Sequence, residues 1–159
     1  MNKTLITFFT VLFCLNSSVG WSLEYKDLVE RDGIYYKKFT DVPFTGKTTG
    51  QVQGTFNNGK RDGSWILYYK NGQLGTKGDF KNGRKEGSWV EYFDNGQLWY
   101  EGDYKNTNEE GFWVVFHKNG QLSSKGDYKN GKREGYWVWN NSVMSGWTGT
   151  YKDGKKISD

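Results

Sequence analysis

The sequence is poor in the residues that most often carry catalysis or crosslinks. Its 159 residues include one cysteine, one histidine and one proline. A single cysteine excludes an internal disulfide. No serine–histidine–aspartate spacing stands out around the one histidine, and no phosphate-binding loop leads from a strand into a helix. These absences predict a protein that is not an enzyme and uses no cofactor.

Aliphatic residues are also scarce, a composition that often indicates disorder. Two features oppose that interpretation, because the net charge is only +4 and aromatic residues make up 18% of the chain. Tryptophan and tyrosine bury large areas, so an aromatic core can replace an aliphatic one. Basic residues alternate with acidic ones and form no run of five, so the sequence predicts no nucleic-acid groove.

The first twenty residues have the pattern of a secretory signal peptide. Lys3 precedes an apolar run at residues 5–15, and small residues lead up to Gly20. The run is shorter than the ~20 residues that a spanning helix needs, and Phe13 before Cys14 disfavours a lipoprotein signal. We therefore expect cleavage near Gly20 and export to the periplasm or the extracellular space. Cleavage would remove Cys14, so stability would rest on packing and strand pairing.

A repeat of 24 residues organises the rest of the chain. Three copies begin at Gly54, Gly78 and Gly102, and an eroded fourth begins at Gly126. Asn-Gly pairs separate runs rich in aromatic and β-branched residues, and they typify type I′ hairpin turns, where both central residues have positive φ. These pairs begin at Asn58, Asn71, Asn82, Asn95, Asn119 and Asn130. The pattern predicts an all-β fold, an elongated single-layer antiparallel sheet of tandem β-hairpins.

The repeat resembles the MORN repeat variant, a family that includes bacterial proteins labelled YwqK-type antitoxins. The similarity lies in the phrase G-x-W-x-x-Y-x-x-N-G-x-L followed by G-x-Y-x-N-G-x-x-x-G. In the first copy the matching residues are Gly63, Trp65, Tyr68, Asn71, Gly72, Leu74, Gly78, Phe80, Asn82, Gly83 and Gly87. The resemblance covers residues 54–155. It implies an antiparallel sheet with a binding or scaffolding role and no catalytic residues.

The repeats divide the chain into four parts. A signal peptide (1–20) is followed by an N-terminal cap with a degenerate repeat (21–53), a repeat domain of about four hairpins (54–155) and a polar tail (156–159). Repeat arrays need atypical end units, which cover the terminal faces. In the cap, Gly33 and Tyr35 are predicted to take the roles of Gly63 and Trp65.

Residues that recur in every copy are predicted to be structural. The tryptophans Trp65, Trp89, Trp113 and Trp137 indicate a buried ladder, with a carbohydrate-stacking row as the alternative, and Tyr68, Tyr92 and Phe116 would form a second row. The glycines Gly63, Gly87, Gly111 and Gly135 precede the tryptophan strands. Interior glycines at 78, 102 and 126 predict a bulge, or a close backbone approach beneath an aromatic ring.

Carboxylates recur as well, at Asp79, Asp103 and Asp127 and at Glu86, Glu110 and Glu134. A calcium site needs several oxygens around one ion. Each repeat supplies one carboxylate per position, with lysine or arginine nearby. The pattern therefore favours surface charge pairing and predicts no metal site.

Positions at which the copies differ are the candidates for partner binding. Trp99 and Tyr100 replace the small pairs Gly75-Thr76 and Ser123-Ser124 of the neighbouring copies. A large aromatic residue among small ones is typical of an interface anchor, and the alternative is a patch that packs on the neighbouring hairpin. Strict strand alternation predicts that Trp99 points away from the face of Leu98 and Tyr104. His117, which stands where the other copies have Tyr69 and Phe93, is a further candidate and is expected to be an exposed aromatic substitute.

Together these observations predict an exported, non-enzymatic interaction module with a protein partner. The alternatives are binding of carbohydrate or cell-envelope glycan through exposed aromatic residues, a membrane-surface adaptor, and an antitoxin-like protein.

Overall fold

The computed structural model of the protein describes residues 22–140 and 145–159. The predicted signal peptide lies outside the described residues, as do Trp21 and residues 141–144. The N-terminal part contains β1 (Ser22–Glu24), β2 (Leu28–Arg31), β3 (Ile34–Lys37), β4 (Gly46–Thr49), β5 (Val52–Asn57) and β6 (Lys60–Arg61). The repeats form β7 (Gly63–Tyr68), β8 (Leu74–Lys81), β9 (Arg84–Tyr92), β10 (Leu98–Lys105), β11 (Asn108–Phe116), β12 (Leu122–Lys129), β13 (Lys132–Trp139), β14 (Gly149–Lys152) and β15 (Lys155–Ser158).

Thirteen of these strands form one sheet, in the order β1, β4, β5 and then β7 to β15, with β6 paired to β5. From β4 onwards neighbouring strands are antiparallel, while β1 is parallel to β4. Strands β2 and β3 form a separate hairpin. Among the described residues the only helical elements are two single 3-10 turns, Tyr25–Asp27 and Ser145–Trp147. The predicted all-β fold of tandem hairpins is confirmed.

Two kinds of turn alternate along the sheet. Asn82 and Gly83 have φ of 52° and 81°, so the turn between β8 and β9 is type I′, as predicted. The turn between β7 and β8 differs, because only Gly72 has positive φ and its N–H donates to Tyr69 O at 2.9 Å. That geometry is a type I turn followed by a left-handed glycine. The prediction of type I′ geometry is therefore wrong at Asn71, Asn95 and Asn119.

The core is a ladder of aromatic rings on one side of the sheet, which we call the ladder face. Its rings alternate in the order Phe56, Trp65, Phe80, Trp89, Tyr104, Trp113, Tyr128 and Trp137. From Trp65 onwards neighbouring centroids are 4.8–6.0 Å apart, with edge-to-face packing. The four repeat tryptophans are 1–6% exposed, which confirms the ladder and excludes the stacking of carbohydrate on them. The rings that alternate with the tryptophans are Phe80, Tyr104 and Tyr128. Tyr68, Tyr92 and Phe116, which the sequence predicts as a second row, are half-buried and lie outside this ladder.

Two sets of glycines create the ladder. Gly87 has φ of 66° and lies in a bulge of β9, where three residues face Gly78 alone. A bulge re-aims the side chains that follow it, and here the Trp89 ring lies over Gly78. A Cβ on Gly78 would be 2.2 Å from Trp89 Cδ2, and the Trp89 Nε1–H donates to Asp79 O at 3.1 Å. The predicted close approach at the interior glycines is confirmed, and the bulge lies at the other set.

Side chains from each repeat hold the turns of the next one. Glu86 Oε2 accepts a hydrogen bond from Asn106 N at 2.9 Å, and Glu110 Oε2 accepts one from Asn130 N at 2.8 Å. At the opposite sheet edge, Asn71 Nδ2–H donates to Asp94 O at 2.8 Å. The recurring glutamates therefore stabilise backbone turns, and the prediction of surface charge pairing is wrong for them.

Both ends of the array differ from the expected boundaries. Asp32 and Gly33 form a type I′ turn between β2 and β3, with φ of 51° and 75°. Gly33 is therefore a turn glycine and does not take the role of Gly63. Tyr35 is buried against Phe56, with ring centroids 4.9 Å apart, and so extends the core into the cap. At the other end, most of the predicted polar tail pairs with β14 as strand β15.

Candidate functional site

Trp99 lies on the ladder face because of a bulge. The register of β10 against β9 shifts between Leu98 and Tyr100, so Trp99 is the additional residue. Its ring contacts Tyr100 at 5.4 Å between centroids and Phe93 at 5.5 Å. The prediction that Trp99 points away from this face is wrong, because the bulge breaks strand alternation. Trp99 remains 40% exposed.

Tyr100 packs between Trp99 and the aromatic ladder. Its ring stacks on Trp113 with centroids 5.3 Å apart and 26° between planes, and its hydroxyl donates to Glu91 Oε2 at 2.6 Å. Burial, followed by the hydrogen bond to Glu91, raises the pKa of Tyr100 above its ordinary value. We call Phe93, Trp99 and Tyr100 the aromatic patch. In this patch the partly exposed Trp99 packs against the half-buried Tyr100, whose hydroxyl is held by Glu91.

Glu91 is a residue that the sequence argument missed. It pairs with Tyr100 in register, where the first repeat pairs Leu67 with Thr76. The two positions therefore change together, from a leucine–threonine pair to a hydrogen-bonded glutamate–tyrosine pair, and that joint change was the available signal. Glu91 and Thr76 also line a groove of about 290 Å³ on the ladder face, with Leu67 and Trp89. The aromatic patch therefore stands beside a groove.

His117 belongs to a different turn from the aromatic patch. Its N–H donates to Gln121 O at 2.8 Å, which closes the turn between β11 and β12. The side chain is half-buried rather than exposed as expected. The next residue, Lys118, forms an ion pair with Asp94 at 2.5 Å and links this turn to the preceding repeat.

Lysine and arginine side chains lie over rings of the ladder at three places. The sequence argument missed this feature as well. Lys85 Nζ lies 4.3 Å from the Trp89 centroid and 4.6 Å from that of Tyr104. Burial lowers the pKa of Lys85, although Glu91 and Glu109 oppose that shift. The other two cations are Arg61, 5.2 Å from Trp65 and 5.1 Å from Phe80, and Arg133, 5.5 Å from Trp137.

The face opposite the ladder carries a polar groove and two exposed aromatic rings. The groove measures about 470 Å³ and includes Ser88, whose hydroxyl donates to Asp103 Oδ1 at 2.6 Å. Phe112 lines its edge, and Phe112 and Tyr136 are each 57% exposed. One strand separates them, which places them about 10 Å apart. Sequence comparison within the chain could have found both, since they replace Ser64 and Ser88.

Within residues 22–140 and 145–159, no three histidine, cysteine, aspartate or glutamate side chains cluster closely enough to hold a metal ion. No helix in that part of the chain has the length and hydrophobicity needed to cross a membrane.

Three consecutive segments match the family model described as MORN repeat variant, at residues 61–82, 85–106 and 109–130. That description names a repeat and no activity. Among curated proteins, none matches this chain. One solved structure that resembles it is a chain of the "Glycosylation Associate Protein (Gap123) complex from Streptococcus agalactiae", with 15% identity and a TM-score of 0.35. The alignment covers 77% of this chain but only 22% of that one, and at this TM-score it supports no argument about function.

Proposed function

Because residues 61–130 of this chain are three consecutive MORN-variant repeats, we propose that the protein is a non-enzymatic interaction module that binds a protein partner through the aromatic patch. We propose further that it is exported, on the pattern of residues 1–20. A partner in the periplasm or outside the cell fits that location.

The observation that carries this proposal is the exposure of Trp99 on a rigid support. Interface anchors are enriched in tryptophan and tyrosine that can be fully desolvated by a partner. Trp99 keeps 40% of its surface exposed although Phe93 and Tyr100 pack against it. The Tyr100 hydroxyl is fixed by Glu91, so little side-chain entropy remains to be lost on binding. The groove beside the patch offers room for a partner side chain.

Capture from the native envelope fraction with immobilised protein tests this proposal. We expect Trp99→Ala to lose a protein that the wild type captures, and a Trp99→Ala/Tyr100→Ser double variant to lose it as well. Phe112→Ala is the matched control, since it removes an exposed ring from the opposite face and should retain the partner. Full retention of the partner by a folded Trp99→Ala variant would refute the patch as the binding surface.

Glycan binding is the second candidate, and Phe112 and Tyr136 favour it. The two exposed rings lie on one face and can stack on sugar rings. The serine hydroxyls and carboxylates of the groove beside them can accept hydrogen bonds from the sugar hydroxyls. A glycan array separates the two functions, because Phe112→Ala with Tyr136→Ala should abolish glycan binding while Trp99→Ala preserves it. An array on which the wild type binds nothing would eliminate this candidate.

A further inference from the structure

Basic side chains line the strand ends that carry the type I′ turns. In the hairpin of β8 and β9, Lys81 pairs in register with Arg84. Both point away from the ladder face, because they alternate with residues that lie on it. The two positions that flank the turn are also basic in the equivalent hairpins of the large sheet, except that one of them is asparagine in two hairpins. We call these exposed side chains the cationic row: Lys60, Lys81, Arg84, Lys105, Lys129, Lys132, Lys152 and Lys155.

The turns of neighbouring hairpins pack on one another, so the cationic row is continuous. A Cβ placed on Gly83 would be 3.8 Å from Lys60 Cβ, and one placed on Gly154 would be 3.7 Å from Lys132 Cβ. In these hairpins the turn therefore lies beside a basic residue of the preceding hairpin. Equivalent side chains are two strands, or about 10 Å, apart.

The other strand ends of the repeats show a different charge pattern. There the equivalent residues alternate in sign from copy to copy, as Lys70, Asp94 and Lys118. Lys118 and Asp94 form an ion pair at 2.5 Å. The cationic row keeps one sign throughout, and within residues 22–140 and 145–159 none of its members forms an ion pair. The positive charge on these strand ends is therefore not neutralised by direct contacts.

Like charges face each other across the turns of the cationic row. Lys129 pairs in register with Lys132, and Lys152 pairs with Lys155. Like charges directly opposite on neighbouring strands destabilise a sheet. An anion bound between two such lysines would remove their repulsion, so this surface is complementary to a negatively charged ligand.

We propose that the cationic row binds a linear anionic polysaccharide, with the acidic groups of one chain placed along successive hairpins. A single chain fits better than the flat surface of an anionic membrane, because the next side chains inward on this face are carboxylates. These are Asp79, Asp103 and Asp127, each two residues from a lysine of the row and exposed. A membrane would bring its negative head groups against them as well. A nucleic-acid strand would stack its bases on aromatic rings, and no aromatic side chain belongs to the row.

This inference goes beyond the proposed function, because it adds a second ligand at a separate site. Trp99 and Lys105 lie at opposite ends of β10, and the aromatic patch is on the ladder face while the cationic row is on the other. The choice of a polysaccharide rests on the proposed export, which would place the protein among the glycans of the cell envelope. N-terminal sequencing of the processed protein tests that export without reference to binding.

The first test measures binding of defined polymers to the full mature chain. Polygalacturonate carries carboxylates, dextran sulfate carries sulfates, and dextran is the uncharged match. We expect saturable binding of at least one acidic polymer and none of dextran. The affinity should rise with the length of the acidic chain, which engages more lysines at once, and fall as salt is added. Binding of neither acidic polymer, or tighter binding to phosphatidylglycerol vesicles or to oligothymidylate, would overturn the proposal.

The second test removes two cations from the row. Lys81→Gln with Lys129→Gln should weaken binding of the acidic polymer about 10- to 30-fold. The matched control is Lys77→Gln with Lys125→Gln, which makes the same change on the same strands and face, in a row where Glu101 lies between the two lysines. We expect the control to bind as the wild type does. An equal loss in both variants would indicate attraction by net charge alone and refute the row.

Thermal unfolding keeps the second test interpretable. The row variant should melt at or above the Tm of the wild type, because it removes the repulsion between Lys129 and Lys132. A clear fall in its Tm would show that these lysines stabilise the fold, which contradicts their assignment as a binding surface.

The two binding functions fail separately. If Trp99→Ala loses a captured protein while no acidic polymer binds, the interaction module stands and the cationic row is refuted. If the row variant loses the acidic polymer while Trp99→Ala keeps both the polymer and the captured protein, the cationic row stands and Trp99 is not the anchor.

Discussion

The indole of Trp113 lies directly against the backbone of Gly102 in strand β10, where any larger residue would overlap the ring. A Cβ on Gly102 would be 2.3 Å from Trp113 Cδ2 and from Cε2. The indole N–H donates to Asp103 O at 3.1 Å, which fixes the ring over that strand. This contact recurs as Trp89 over Gly78 and Trp137 over Gly126, so each hairpin is joined to the next by a ring laid on a bare backbone.

Gly102→Ala should destabilise the protein by about 3 kcal/mol or more, because the methyl group overlaps a buried ring that has no space to move. Gly111→Ala is the matched control. Gly111 has φ of 67° with no atom within 4 Å of the added Cβ, so only the backbone strain of about 1–2 kcal/mol is expected. Urea unfolding measures both, and a larger loss for Gly111→Ala would contradict the ring-over-glycine arrangement.

Trp89→Ala should destabilise far more than Trp99→Ala. Trp89 is 4% exposed and packs between Phe80 and Tyr104, so truncation leaves a cavity and costs about 3–5 kcal/mol. Trp99 is 40% exposed and contacts the rings of Phe93 and Tyr100, so we expect its truncation to cost about 1 kcal/mol of stability. Thermal unfolding followed by circular dichroism compares them. Equal shifts in Tm would show that Trp99 is part of the core.

The sequence predicts the fold well because each copy of the repeat carries the same signals for strands and turns. The 24-residue period and the Asn-Gly pairs are sufficient for tandem hairpins, since turn chemistry and strand pairing are local. It also places Trp89 in the core and a ring over Gly78. Strand alternation does not predict on which face of the sheet Trp99 lies, because one additional residue in β10 reverses the alternation.

Contacts between repeats were also beyond the sequence argument. In the sequence Glu86 reads as one more charged residue of the surface. Its hydrogen bond with Asn106 N depends on how neighbouring hairpins are aligned, which the sequence does not state. The same limit applies to Lys85, whose position over Trp89 depends on the bulge at Gly87. Period and composition describe one hairpin, while these side chains act on the next one.

Stability should fall at alkaline pH, and Tyr100 should contribute to the fall. The folded state holds the Tyr100 proton more tightly than the unfolded state, whose pKa is near 10.0. Stability from this difference is fully present below pH 10 and is lost as pH rises towards the higher folded pKa. Urea unfolding at pH 9 and pH 11 should show a smaller loss for Tyr100→Phe than for the wild type.

Tyr136→Phe is the control for this measurement, because Tyr136 is exposed. At pH 7 Tyr100→Phe should itself be less stable by about 1–3 kcal/mol, since Glu91 loses its hydrogen-bond donor. An alkaline loss that is unchanged by Tyr100→Phe would assign the effect to other groups, such as Tyr104, whose pKa burial also raises.

Thr107→Gly should stabilise the protein, although it removes a side chain. Asn106 and Thr107 have φ of 52° and 73°, the same type I′ geometry that the other copies build with Asn-Gly. A β-branched residue in this region costs about 1–3 kcal/mol, while glycine costs about 0.5–1 kcal/mol in unfolded-state entropy. Thr107 is exposed, and its N–H, which donates to Lys85 O at 2.9 Å, is kept in the variant. We therefore expect a net gain of a few tenths to about 1 kcal/mol, seen as a rise in Tm. Thr107→Ala retains the Cβ and should gain less than glycine. If the glycine variant melts below the wild type, the backbone at Thr107 does not have the left-handed conformation described here.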